Sequence, residues 1–598
     1  MLTKEISLPA MFSGPLFEFE HECDLPGLPV DALTYQRLGH LNEKLAPCLP
    51  LVLHDQRKLR ELLELTAMVS PSLFMAFFLH HSMAVGASIE YGADLGELAK
   101  LEDGGAVGAI MMTELGYGSS SANILTEAHY DPHADDFVLH TPIPMAVKFP
   151  SNVGADNLPR FAVVSARLKV GDVDSGVFLF MLRLREATGP CPGVSIKDVQ
   201  AFPHLQLDYA STKFTHTRLP RTAWLADGAA LTRDGVFTDP LGSPDVRTHR
   251  TVGVSRFAHG ANCLGLAAAA RASIAISVCY AQRRQTNNGD GVRRSLIRHR
   301  NQQQLLLTGM AAAFAATVLA RRVGAPSLRI SAPRGSGLDL APSESRAASL
   351  AKVGTARLAE RAIARARASS GVAGFMARNR LIGYHNFALG FQNAGGDNQM
   401  YLLQAARAMI AEAPSAATAW LATPPRAMDT VDDCLELLRH REDGLRAQLS
   451  TGLAEAVASG ADDFTAWDTN VGSALAFAEA HLVRNVAEHF HLSAVEADDP
   501  AERQLLLLLC ELLMREEIAD HEGWYRAKGV LEASVPHEEL AAGIGRICER
   551  LLDDLDSLVR MLDVPVPLLH SSATDERYFD RIVPSVSCSG PGGSAELG

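Results

Sequence analysis

MTELGYGSSSANILTEAHYDPHADDFVLHTPIPMAVKFPSN, residues Met112–Asn152, runs from a flexible loop into a strand. Thr113-Glu114-Leu115-Gly116 followed by Gly118-Ser119-Ser120 sets small and hydroxyl-bearing side chains on a turn, where backbone N–H groups can come close to a large ligand. Such a loop can cradle a cofactor; the plainer reading is a Gly/Ser turn. Tyr130-Asp131-Pro132 makes a second turn, and Phe137-Val138-Leu139 opens a strand of β-favouring residues. A ligand held by the loop would sit where that loop meets a β-domain.

Upstream, leucines at helical spacing predict a helix over Gln56–Val69, and Ser72–Met83 is a second apolar helix carrying His80 and His81, read as core histidines in place of a ligand set. Downstream, Phe161–Val170, Gly176–Leu184 and Ser211–Thr217 are β-rich between Gly/Pro punctuation, which predicts an antiparallel β-domain. Val252–Gln285 returns to helix, as do Gln302–Arg322 and Arg346–Arg380, with a Pro/Gly/Ser-rich surface loop over Gly324–Ser345 between the last two. Arginines at 346, 357, 361, 365 and 367 read as a solvated basic face, with a phosphate contact as the sharper alternative. Further helices follow over Val431–Leu449, Val471–Phe490, Glu502–Arg515 and His537–Met561.

The chain has 598 residues, enough for about four domains at roughly 150 residues each. With Lys+Arg 55 against Asp+Glu 69, the net charge of −14 disfavours a nucleic-acid partner while allowing a local basic pocket for a small anion. Nine scattered cysteines without a C-x-x-C pair signal neither a disulfide framework nor a thiolate metal site, and no metal is expected. The N-terminus lacks a basic region followed by an apolar run, and the strongest apolar run, Leu505–Cys510, is stopped by Glu511, so no export or membrane insertion is expected. The Ala- and Arg-rich composition and the C-terminal Ala-Glu-Leu-Gly, which is not a peroxisomal address, set the expectation of a bacterial, cytoplasmic protein.

The Met112–Asn152 block resembles the acyl-CoA oxidase and acyl-CoA dehydrogenase superfamily, whose flavin-side loop reads T-E-x-G-x-G-S and leads through a Y-D-P turn into a strand. Thr113, Glu114, Gly116, Gly118, Ser119, Tyr130, Asp131 and Pro132 stand where that pattern wants them. Gly176-Val177-Phe178-Leu179-Phe180, Leu184-Arg185, Pro192-Gly193-Val194 and Thr217-Arg218-Leu219-Pro220 follow the oxidase β-domain in order and spacing. The resemblance implies an α+β, mostly α fold: an N-terminal helical domain (1–110), a central antiparallel β-domain (111–228), a helical bundle (229–412), the oxidase branch's second C-terminal helical domain (413–587) and a disordered tail (588–598). It further implies an FAD-dependent oxidoreductase of fatty acid metabolism that dehydrogenates an acyl thioester, on coenzyme A or a carrier protein, passes electrons to O₂ and works as a homodimer. Thr113 and Gly118 are then flavin contacts, Ser119 and Arg256 substrate contacts, and Arg283, with Arg284 as fallback, reaches the pyrophosphate of the neighbouring subunit's flavin.

Two departures matter. Family oxidases take the α-proton with the glutamate of an F-E-G-E-N run; here Ala394-Gly395-Gly396-Asp397-Asn398 precedes the well-matched Leu402-Leu403-Gln404-Ala405-Ala406-Arg407, so Gly395 occupies the base position. The upstream G-G-H-G-Y turn has become Arg380-Leu381-Ile382-Gly383-Tyr384. A missing general base costs roughly 10²–10⁴-fold in rate. Three readings stand: a displaced base, with His259 or Asp397 as candidates and an N-cap as the plain role of Asp397; a flavin monooxygenase, consistent with Phe149-Pro150-Ser151-Asn152 in place of W-W-P-G, which puts Asn152 near flavin N5; or a non-catalytic acyl-thioester binding protein.

Overall fold

In the computed structural model, residues 7–18, 30–45, 53–118, 123–199, 207–287, 289, 291–330, 342–412, 428, 430–531 and 537–575 are described. The chain begins with α1 (Val30–Leu45), α2 (Gln56–Val69) and α3 (Pro71–Phe78), the last prolonged by a π-helical stretch at Leu79–Val85. Asp55 caps α2 by accepting the Arg57 and Lys58 N–H groups, which starts the helix at the residue that the leucine spacing predicts. His80 Nδ1 accepts the Gly108 N–H at 2.9 Å and His81 Nε2 lies 2.9 Å from Asn42 Oδ1. Both imidazoles are buried core groups, as read from the sequence.

Among the described residues, eleven strands make up the two sheets of the β-domain: β1 (Val107–Met111), β2 (Glu127–Asp131), β3 (Asp136–His140), β4 (Lys148–Asn152), β5 (Arg160–Val170), β6 (Val173–Glu186), β7 (Gly189–Pro190), β8 (Val194–Asp198), β9 (Tyr209–Phe214), β10 (Thr217–Pro220) and β11 (Trp224–Leu225). The larger sheet runs β10-β3-β2-β5-β6-β11, with β1 beside β5 and β7 beside β6; the smaller runs β4-β9-β8. Most pairings are antiparallel, as in the β5–β6 hairpin, but β5 pairs in parallel with both β1 and β2. Parallel partners need a long connection, and the candidate site loop, between β1 and β2, forms part of the long path from β1 to its parallel partner β5. Phe137, Phe178, Phe180 and Trp224 pack edge-on or tilted in the core of the sheet domain.

Around this lie α4 (Ser255–Arg283), α5 (Arg300–Leu319), α6 (Pro342–Ser369), α7 (Leu381–Gly390) and α8 (Asn398–Ala411), then α9 (Val431–Ala458), α10 (Val471–Val495), α11 (Pro500–Asp520) and α12 (His537–Leu552). Alanines and Gly265 on α4 let neighbours approach closely; a Cβ at Gly265 would lie 2.5 Å from the Phe74 ring. The apolar stretch of Pro244–Arg283 is long enough to cross a membrane by length and composition, and 94% of its most apolar window is buried inside the protein.

The single predicted helix Arg346–Arg380 is instead broken. It ends at Ser369, passes through Gly371 at φ +52° and restarts after Arg380 at φ +61°. Arg380 is held there by donating to the Val69 and Leu569 carbonyls, and Tyr384 donates to the Met68 carbonyl, so both cap the C-terminal end of α2. The α6 arginines form no free basic face: Arg346 pairs with Glu412, Arg357 with Glu479, Arg361 with Glu517 and Arg365 with Glu516. The predicted helix His537–Met561 is also two helices, α12 and Leu555–Met561. The expected disordered tail and residues 331–341 of the expected 324–345 loop lie outside the described residues; of the rest of that loop, Ala325–Leu328 forms a 3-10 turn and α6 begins at Pro342.

Candidate active site

Two residues past β1, the Thr113 carbonyl accepts the Phe149 N–H at 3.1 Å while its side chain is exposed. Leu115 N–H then donates to Val147 O and Gly116 N–H to Met145 O, each at 2.9 Å, so the loop is zipped against the approach to β4. Gly116 is required by that zipper, since a Cβ there would meet the Met145 Cβ at 2.5 Å. Gly118 is different: nothing lies within 4 Å of where its Cβ would be, and its backbone borders open space. At the end of β4, Asn152 is 2% exposed, and its Nδ2 has no hydrogen-bond partner among the described residues. Ser119 lies outside the described residues.

Glu114 is the anchor of this arrangement. Its carboxylate accepts from Leu125 N–H at 2.8 Å, from Thr126 N–H at 2.9 Å and hydroxyl at 2.6 Å, and from Lys148 Nζ at 2.9 Å. Both side chains of the pair are fully buried. Burial pushes the Glu114 carboxyl up, but Lys148 and the Thr126 and Leu125 donors outweigh it and hold it below its usual range. Burial pushes the Lys148 ammonium down to about 8 against the pull of Glu114. The pair joins both ends of the loop to the strand behind it, leaving the Thr113 hydroxyl and the Asn152 amide unspent.

The second group surrounds Gly395. His259 and Asn262 lie three residues apart on one face of α4. His259 Nε2 is 2.8 Å from Tyr401 Oη, in the first turn of α8. Burial pushes the His259 imidazole down to about 3 and the Tyr401 phenol up to about 12, so both are uncharged at neutral pH. Lys352 on α6 donates to Phe391 O at 2.8 Å, Gly396 O at 2.6 Å and Asn398 Oδ1 at 2.8 Å, clamping the loop from beneath. Burial pulls this ammonium down to about 7, while three oxygen acceptors suit its protonated form. Asp397 is an N-cap that accepts from the Gln399 and Met400 N–H groups at 2.9 and 3.2 Å.

Gly395 itself has φ +65°, and a Cβ built there points at Asn262 Nδ2, 2.5 Å away. Glycine at this position therefore leaves no vacant space for a carboxylate; its missing side chain is where the Asn262 amide packs. Asn262 is fully buried, and neither its Nδ2 nor its Oδ1 has a hydrogen-bond partner among the described residues.

His259 and Gly395 thus meet at Tyr401, with Asp397 two residues on from Gly395, while Thr113 is tied to the Phe149 N–H, with Gly118 further along the same loop and Asn152 three residues along from Phe149. Arg283 is not among them: 24 residues along α4 at 1.5 Å each put it roughly 36 Å from His259. It is exposed at the helix end, with one bond, 3.2 Å to Ala573 O. Arg256 donates through Nη1 to the Ser327 and Arg329 carbonyls at 2.6 and 2.9 Å and pairs with Glu90 at 2.7 Å, so its charge is met by a structural partner. Sequence reasoning missed Lys148, Lys352, Asn262 and Tyr401. Only Lys148 carried a signal, as a lone cation between Val147 and Phe149 where the strand faces a core.

Residues 261–410 match the family model described as "Acyl-CoA oxidase, C-alpha1 domain", and residues 430–572 match "Acyl-CoA oxidase". The human "Peroxisomal acyl-coenzyme A oxidase 3" is 24% identical over 621 residues, covering 95% of this chain and 87% of the relative. Acyl-CoA oxidase3 from Yarrowia lipolytica superposes with a TM-score of 0.82 at 18% identity, over 98% of this chain and 89% of its own. Acyl-CoA oxidase-1 of Caenorhabditis elegans, solved complexed with FAD and ATP, superposes at 0.78 with 18% identity, over 92% and 85%. These eukaryotic relatives, the human one named peroxisomal, overturn the expectations of a bacterial source and a cytoplasmic location that composition had suggested.

Proposed function

Because this chain belongs to the acyl-CoA oxidase/dehydrogenase superfamily, we propose that it is an FAD-dependent, homodimeric flavoenzyme that binds an acyl thioester and dehydrogenates it at the α,β position, with O₂ as final electron acceptor. The observation that carries this reading is the Thr113–Asn152 face. There, an exposed hydroxyl, an unobstructed Gly118 backbone and a buried amide without a partner are held by a buried ion pair. These donors fit a flat, polar-edged group; Thr113, Gly118 and Asn152 would hold FAD, and the exposed Arg283 would serve the flavin of the second subunit. FAD, when bound, supplies the hydride acceptor. Ser119 remains the proposed thioester contact.

The chain's own task is the α-proton. The acceptor we propose is His259, reached through Tyr401 Oη, because the pair lies beside Gly395 and the imidazole is kept in its neutral, proton-accepting form by burial. A base that weak fits slow turnover, since efficiency is greatest when the pKa lies near the operating pH. Asp397 is the second candidate, at the cost of its capping bonds.

A second reading, a flavin monooxygenase on the same scaffold, is favoured by one observation: Asn262 of α4 packs where a side chain at Gly395, the position that matches the family's base, would project. Anaerobic mixing with a panel of acyl-CoA thioesters tests the choice. Bleaching of the flavin absorbance supports dehydrogenation. An unchanged spectrum throughout excludes it, and oxygen incorporated from O₂ into product with externally reduced flavin establishes the oxygenase.

A further inference from the structure

Away from the site above, α6, α9, α10 and α11 line a half-open cavity of about 230 Å³. Its walls are aliphatic on one side, with Leu438, Leu482, Val486 and Met514 among them, and charged on the other. Arg357 pairs with Glu479 at 2.8 Å and Arg361 with Glu517 at 2.5 Å. Arg441 has no such partner. It is 6% exposed, its Nε bonds nothing, and its guanidinium makes no hydrogen bond or ion pair among the described residues. Burial pulls its pKa below the usual range, with Tyr525, Glu517 and Glu479 the groups that raise it. Asp520 and His521 also line the cavity, Asp520 on the exposed side.

A buried cation without a bonded counter-charge carries a desolvation penalty that Glu479 and Glu517, already bonded to other arginines, offset only in part. We propose that this cavity binds a small aliphatic monocarboxylate, its carboxylate paired with Arg441 and its chain against the Leu438, Leu482 and Met514 wall. Guanidinium geometry favours a two-oxygen anion. At about 30 Å³ per water-sized group, the space holds roughly seven or eight non-hydrogen atoms, which sets the length near hexanoate. The inference stands apart from the flavin reading, because binding here needs neither flavin nor turnover.

The test is calorimetric titration of the purified full chain with hexanoate and, separately, with 1-hexanol. Saturable hexanoate binding, with hexanol about 30-fold weaker or more, is expected, since removing one partner of a buried charge pair costs that much. Arg441→Met should weaken hexanoate by the same factor. Leu482→Trp fills the cavity and leaves Arg441 in place, so it should also abolish binding and serves if Arg441→Met fails to fold. Absence of saturable binding to the native protein overturns the proposal, as does equal binding of hexanol, or hexanoate binding unaffected by either variant.

Discussion

The two halves of the candidate site handle their polar groups in opposite ways. Around Thr113 the strong groups are spent on structure so that weaker ones stay available: the Glu114–Lys148 pair consumes both charges, while the Thr113 hydroxyl and Asn152 Nδ2 remain unpaired. Around Gly395 nearly everything is consumed internally. Lys352 has three acceptors, Asp397 caps a helix, His259 and Tyr401 hold each other, and only the Asn262 amide is left over. The first half is arranged to receive a ligand. The second has given up the one group that family chemistry calls for and filled its place.

The largest expected effect lies in the first half. Glu114→Ala leaves Lys148 buried without a counter-charge and strips acceptors from Leu125 and Thr126. A cost of about 3–5 kcal/mol is expected for breaking such a pair from one side. Urea unfolding measures it, and flavin retention at sub-denaturing urea should fall in parallel. A loss under 1 kcal/mol would show that the loop is not anchored there.

His259→Ala comes next. If His259 is the proton acceptor, the rate of flavin reduction by an acyl thioester should drop roughly 10²-fold, with flavin content unchanged. Tyr401→Phe, which keeps the ring and removes the relay, should show a similar drop. Rates unchanged from the native enzyme in both variants would leave the Gly395 side without a base and shift the weight to the oxygenase reading.

How far these halves were legible in the sequence follows from the range of the interactions. Asp55 and the leucines of Gln56–Val69 are local, and the helix bounds came out as read. The loop at 113–118 was recognisable because its residues are adjacent. What it leans on was hidden, because Lys148 reaches Glu114 across 34 positions. The broken helix after Ser369 was missed for the same reason: Arg380 adopts φ +61° because carbonyls of α2 and Leu569, distant in sequence, hold it. Gly395 could be matched to the family's base position from the sequence, but nothing in its neighbourhood announces Asn262. The arginines of α6 looked like a solvated face because their glutamate partners sit on other helices.

A smaller effect tests that last correction at Gly395 directly. Gly395→Ala forces a Cβ to within 2.5 Å of Asn262 Nδ2 at a left-handed φ, and about 1–3 kcal/mol of destabilisation is expected. In an Asn262→Ala background the steric part disappears and only the backbone strain remains. The two substitutions should therefore be non-additive by at least about 0.5 kcal/mol in a double-mutant cycle read by thermal or urea unfolding. Strict additivity would mean that the amide does not face the glycine.

The smallest effect separates the two roles of Asp397. As an N-cap it should lose about 1 kcal/mol on replacement by alanine and close to nothing on replacement by asparagine, which caps equally well. Burial pushes its carboxyl up, but the Asn393 amide, the Met400 and Gln399 N–H groups and Lys352 together hold it below its ordinary value. A carboxylate depressed in the folded state adds stability that is fully present above the unfolded pKa of about 3.9, and that contribution is lost as pH falls through the lower folded value. Asp397→Asn should therefore match the native protein at pH 7 and lose less stability than it does below about pH 4, by urea unfolding at both pH values. If Asp397 instead takes the substrate's α-proton, Asp397→Asn removes the base while keeping the cap, and flavin reduction should collapse at unchanged stability. An unchanged reduction rate in Asp397→Asn, beside a drop in His259→Ala, would assign the proton to the α4 side of the loop.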